Sequence, residues 1–177
     1  MMKEVYIFDI DGCVMPPIFS DFKIYESREN TIKKIVDNTD YIKLFPDFIR
    51  FYDKYCKNAE MIFFITGRKG SEFGKLTENQ LESLSNIKNF QIIYYPEKKS
   101  HKIRKYFSWK VKKIRKIIKN AANSKTFKDD DEKIIKFNIF DDMDGYFSKI
   151  EDYATHYGVQ AHLSLIENDK SWNYLLR

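Results

Sequence analysis

The sequence predicts an α/β, Rossmann-like three-layer sandwich built around a mainly parallel sheet. Three observations predict it. Short apolar runs rich in β-branched and aromatic residues alternate with stretches of helical periodicity. The run at 61–65 is apolar without interruption, as in a strand covered on both faces. Three of the runs end in polar, mostly acidic residues, where open parallel sheets bind their ligands.

The elements follow in order. Residues 4–10 form the first predicted strand, and Pro16 and Pro17 then break regular structure. Ser27 is placed to cap a helix carrying Ile32, Ile35 and Val36 on one face. A second helix follows Pro46, where Phe48, Ile49, Tyr52, Tyr55 and Cys56 recur at helical spacing. After the strand at 61–65, Thr77 and Gln80 have capping-box spacing and are expected to open a helix burying Leu81, Leu84 and Ile87. Phe90–Tyr95 reads as a strand ended by Pro96. Ser108 is expected to cap a helix with Val111, Ile114, Ile117 and Ala121 inward. A polar stretch, 123–133, leads to a strand at 134–140. Phe147, Ile150, Ala154 and Tyr157 mark one more helix, with Gly158 at its C′ position, and 159–165 reads as the last strand.

A chain of 177 residues, 43% hydrophobic, suits a single domain over 1–177. No apolar run is long enough for a bilayer, and Asp9 and Asp11 interrupt the first one before a secretory signal could form. Cys13 and Cys56 offer neither zinc spacing nor a disulfide framework, so the expectation is a reduced, cytoplasmic protein without a membrane partner. The formal charge of +5 conceals an asymmetry: residues 98–128 hold 13 of the 31 Lys and Arg and no acid, leaving 18 basic against 26 acidic residues elsewhere.

The strand ends carry the chemistry. Asp9, Asp11 and Gly12 follow the first strand, Thr66, Gly67 and Arg68 the second, and Asp141 and Asp142 the run at 134–140. Taken singly, each Asp is a turn or cap residue. Taken together, they place several carboxylates at one sheet edge. Two unit charges ~5 Å apart repel by about 3 kcal/mol at an effective dielectric of 20. A cation among them relieves that repulsion, and an oxygen-only donor set suits Mg²⁺. Asp9 and Asp11 would point the same way if the strand continued through both.

These residues resemble the motifs of the haloacid dehalogenase (HAD) superfamily. Asp9–Gly12 matches its strand-ending Asp-x-Asp-Gly, Thr66 its second motif, Lys110 its helix-borne Lys, and Asp141–Asp142 its terminal acidic pair. The resemblance spans 4–165 and implies a Mg²⁺-dependent phosphatase. It implies that Asp9 forms an aspartyl-phosphate, that Asp11 acts as general acid and base, and that Lys110 neutralises the phosphate. Thr66, Gly67 and Arg68 would hold phosphate oxygens. Asp9, the backbone carbonyl of Asp11, and Asp142 would hold the metal, with Asp141 supporting Lys110 or the metal and Asp144 a lower-ranked alternative. Dehalogenases of the superfamily lack the second Asp, so Asp11 points to phosphoryl transfer. Many members carry Thr where this chain has Cys13, which leaves weak activity or altered loop geometry open.

Residues 69–109 leave no room for a large cap domain, and 13–45 hold at most a flap or minimal cap. An open site admits a macromolecule. Arg68 and the acidic pair resemble the 3′-phosphatase domain of polynucleotide kinase-phosphatases. Basic residues interleaved with Tyr106, Phe107 and Trp109 over 98–119 suit a nucleic-acid strand by phosphate contacts and stacking, or else form a solvated helix face. The alternatives are a small-metabolite or nucleotide phosphatase, and a catalytically weak phosphate-binding or nucleic-acid-binding module. The acidic run at 129–132 reads as a solvated loop, and His101, His156 and His162 as ordinary histidines.

Overall fold

A computed structural model describes residues 3–17, 43–82, 84, 90–98, 103–124 and 135–177. The helix expected after Ser27, the greater part of the flap at 13–45, and the acidic run at 129–132 lie outside the described residues.

Five strands, β1 (Lys3–Phe8), β2 (Met61–Lys69), β3 (Phe90–Tyr95), β4 (Ile135–Asp141) and β5 (Gln160–Leu165), form one sheet in the order β3-β2-β1-β4-β5. All four pairings are parallel, and Phe8 of β1 lies opposite Phe64 of β2 and Phe140 of β4. The chain steps outward from β1 to β3, then returns to the other side of β1 for β4. That reversal marks the switch point, beyond the carboxyl ends of β1 and β4, where sheets of this kind form a ligand crevice. The architecture is α/β as expected, and no cap domain occurs among the described residues.

Strand alternation sorts the side chains into two cores. On one face Val5, Ile7, Phe63, Ile65, Phe137 and Ile139 pack against α3 (Ile103–Asn123) and α4 (Phe147–His156). On the other, Tyr6, Phe8, Ile62, Phe64 and Phe140 meet α1 (Pro46–Phe51), which runs on as a π turn through Tyr52–Cys56, and α5 (Asp169–Leu175). The helix α2 (Gly70–Leu81) joins this second core through Leu81.

Two helices start earlier than their capping signals suggest. α2 begins at Gly70 and not at Thr77, whose hydroxyl instead donates to the Phe73 carbonyl within the helix at 2.7 Å. α3 begins at Ile103, leaving Ser108 exposed inside it. α4 ends as the sequence predicts, with Gly158 in the left-handed region at φ +66°. No described helix is long and apolar enough to cross a membrane.

α5 was not foreseen. Its Asn168 side chain caps the helix by accepting from Lys170 N–H at 3.0 Å. Its Trp172 is fully buried, with ring centroids of Phe8, Phe48, Phe51 and Phe140 at 4.9–5.9 Å and an indole N–H donating to the Cys13 carbonyl at 2.8 Å. Trp172→Ala should therefore cost about 3–5 kcal/mol, measured by urea unfolding. A loss below about 1 kcal/mol would show that α5 is not part of the cooperative core.

Candidate active site

β1 stops at Phe8, so Asp9 is the first residue beyond the strand, and its N–H donates to the Phe140 carbonyl at 2.9 Å. That bond ties the end of β1 to β4, where Asp141 is the final strand residue. The turn that follows hangs on Ile10, whose carbonyl accepts from the N–H groups of Cys13, Val14 and Met15. Gly12 makes the turn at φ +85°, and a Cβ there would lie 2.6 Å from Asp142 Oδ2. Gly12→Ala should thus cost about 1–3 kcal/mol in backbone strain and displace Asp142. The expected result is a lower Tm; an unchanged Tm would contradict the contact.

Lys110 reaches the crevice from α3 and is fully buried. Its Nζ lies 2.6 Å from Asp9 Oδ1 and also pairs with Asp141 Oδ2. Tyr106, one helical turn earlier, donates its hydroxyl to the same Asp9 Oδ1 at 3.1 Å. Tyr146 donates to Asp141 Oδ2, and Met143 N–H to Asp141 Oδ1 at 3.0 Å. Sequence reasoning missed both tyrosines. For Tyr106 the signal was present, an i, i+4 pairing with Lys110; for Tyr146, in a turn, there was none.

The charges do not balance. Asp9, Asp141 and Asp142 bring carboxylate oxygens within 4.8 Å of one another, against the one ammonium that meets them among the described residues, that of Lys110. Burial pushes Asp9 up to about 8 in spite of Lys110, with Asp141 and Asp142 adding to the rise. Burial, then Asp141, push Asp142 up to about 7. Burial by itself would lower Lys110, but Asp141 and Asp9 outweigh it and hold Lys110 well above its ordinary value. Asp142 Oδ1 is buried with no hydrogen-bond partner. An orphaned carboxylate oxygen beside two other acids is a place for a cation, and the all-oxygen donors fit Mg²⁺. Both Asp141 oxygens are engaged by the protein and Asp9 Oδ1 by Lys110 and Tyr106, so Asp142, with its orphaned Oδ1, would be the best direct ligand of the three. Asp144 is exposed and lies outside this group.

The Asp11 side chain takes another course. Arg68 grips it through two bonds, Nε to Oδ2 at 2.9 Å and an η nitrogen to Oδ1 at 2.7 Å. The other η nitrogen donates to Thr77 Oγ1 at 3.0 Å and Gln80 Oε1 at 2.6 Å, and the first also reaches Met15 Sδ at 3.2 Å. These bonds use every N–H of the guanidinium, which is buried. Two placements follow from these bonds. Arg68 is bound to Asp11 and α2 and is not presented to a phosphate. The Asp11 carboxylate is outside the three-carboxylate cluster, because the strand ends before it and the turn redirects it.

β2 runs past the expected 61–65 to Lys69, so Thr66 is buried within the strand, where its register to β3 shifts; its Oγ1 accepts from Arg68 N–H at 3.1 Å, and the Tyr106 ring lies against Gly67. Burial raises the Cys13 thiol well above its ordinary value. On α3, Tyr106 and Trp109 are buried, Trp109 packing on Tyr95 at 5.0 Å, whereas Arg104, Lys105, Lys112, Lys116 and Lys119 are exposed. These two aromatics therefore belong to the core and do not offer a stacking surface.

No protein-family model matches the sequence, and no curated protein matches it. The fold is similar to the HAD domain of the effector protein Lem4 from Legionella pneumophila, at 16% identity and a TM-score of 0.53, covering 99% of this chain and 93% of that one. A structure of an inactive mutant of that domain matches at 16% identity and a TM-score of 0.54, over 99% and 92% of the two chains. The chain has a HAD-like fold.

Proposed function

We propose, from this HAD-like fold, that the chain is a Mg²⁺-dependent phosphomonoester hydrolase acting through an aspartyl-phosphate on Asp9. The observation that carries the reading is the convergence of Asp9, Lys110, Asp141 and Asp142 in the crevice between β1 and β4. When bound, Mg²⁺ would offset the charge that otherwise keeps a carboxylate from a phosphate. Lys110 and Tyr106 engage Asp9 Oδ1, leaving Oδ2 as the oxygen to attack phosphorus. As that P–O bond forms, the ester P–O bond breaks and Asp11 supplies the proton to the leaving oxygen. Water then attacks the same phosphorus while Asp11 takes its proton, and inorganic phosphate departs as the Asp9 carboxylate is restored. Arg68 holds the ionised Asp11 carboxylate, the form that takes the proton from water. Thr66 and the Gly67 N–H are the groups assigned to the phosphate oxygens. Hydrolysis of an aryl phosphate should appear with Mg²⁺, vanish with EDTA and return on readdition; metal-independent turnover would reject the reading.

The basic ridge of α3 favours a polymer substrate. It lies on the helix that carries Lys110, and no carboxylate pairs with Lys105, Lys112, Lys116 or Lys119 among the described residues. Nucleic acid held by phosphate contacts alone should bind with a log K against log[salt] slope of about −0.7 per contact. Charge reversal at Lys105, Lys112 and Lys116 should slow a phosphorylated oligonucleotide and spare an aryl phosphate. Equal effects on both would indicate a small-metabolite enzyme.

A further inference from the structure

We propose a second binding site, for a small organic anion with a flat apolar body, in the groove between α3 and the first halves of β2 and β3. The groove encloses about 440 Å³, within the range of roughly 300–1,000 Å³ usual for small-molecule sites. Its floor is sheet: Met61 and Phe63 of β2 and Ile93 of β3 lie at alternate strand positions and so share one face. Its wall is the later part of α3, where Lys113, Lys116 and Asn120 face the groove.

The topology explains why this strip is open. α3 and α4 supply the helical side of this core, while Leu81 of α2 packs on the opposite face. β3 is an edge strand, with Gln91 exposed and Ile93 partly so. Among the described residues, a flat apolar strip is thus left beside a helix that contains no acid.

The charges select the ligand. Lys113 and Lys116 have no ion-pair partner among the described residues. An apolar floor beside two unpaired ammonium groups complements a flat ring system bearing a carboxylate, sulfonate or phosphate. The groove is separate from the crevice. Asp9 and Asp141 stand at the carboxyl ends of their strands, whereas the groove begins with Val5 and Met61, the former about 13 Å of strand away from Asp9.

The test is a fluorescence titration of the full chain with 8-anilinonaphthalene-1-sulfonate, an anion of this shape. Wild type should bind one dye per chain. Lys113→Glu combined with Lys116→Glu should weaken binding about tenfold or more, while the uncharged dye Nile red is little affected. Asn120→Trp, a change at an exposed helix position, should fill the groove and remove both dyes, with Tm recorded for each variant. Unaltered sulfonate affinity in the Lys variant would overturn the proposal, as would unaltered binding in Asn120→Trp. Displacement of the dye by inorganic phosphate and Mg²⁺ would also overturn it, by placing the dye in the crevice. These readings involve no turnover, so they stand or fall apart from the phosphatase assignment.

Discussion

Replacing Asp9 with Asn should lower phosphatase turnover by ~1,000-fold or more while leaving the fold intact. The substitution keeps the shape of a side chain that is only 4% exposed and removes the charge that would attack phosphorus. Two donors, Lys110 Nζ at 2.6 Å and the Tyr106 hydroxyl at 3.1 Å, still find an oxygen acceptor in the amide. The loss should therefore fall on kcat, and the thermal transition should persist as a single cooperative step. Turnover within tenfold of wild type would exclude Asp9 as the nucleophile.

Lys110→Met has the second large effect, on stability as well as rate. Lys110 is the ammonium placed between Asp9 and Asp141, and all three side chains are buried. Removing one member of a buried ionic group leaves its partners uncompensated and costs about 3–5 kcal/mol. At about 2–4 °C per kcal/mol, the metal-free variant should melt on the order of 10 °C below wild type. Added Mg²⁺ should recover part of that loss by supplying positive charge to the same carboxylates. A variant as stable as wild type would mean that the acids are held protonated and that Lys110 does not balance them.

The sheet was legible because its strands are short apolar runs with abrupt polar ends. Phe90–Tyr95 appears as read, and β4 runs one residue past the expected Phe140 to Asp141. The helices were less legible. Gly70 and Gly74 have poor helix propensity and hid the first half of α2, while Thr77 imitated a cap although its hydroxyl serves Arg68 and the Phe73 carbonyl. α5 is short, and Trp172, its one buried residue, leaves no periodicity to read. At the site, positions were legible and partners were not. Asp9, Lys110, Asp141 and Asp142 stood out by type and place. That Arg68 clamps Asp11, and that Tyr106 bonds Asp9, are contacts across 57 and 97 residues that no local pattern encodes.

Asp9 as phosphoryl acceptor is tested most directly by trapping. The protein, mixed briefly with an aryl phosphate and Mg²⁺, is quenched with tritiated borohydride, which reduces an acyl phosphate to an alcohol. Peptide mapping should then place the label at position 9, as homoserine, and Asp9→Asn should carry none. Turnover without label at position 9, or label on another carboxylate, would contradict the assignment.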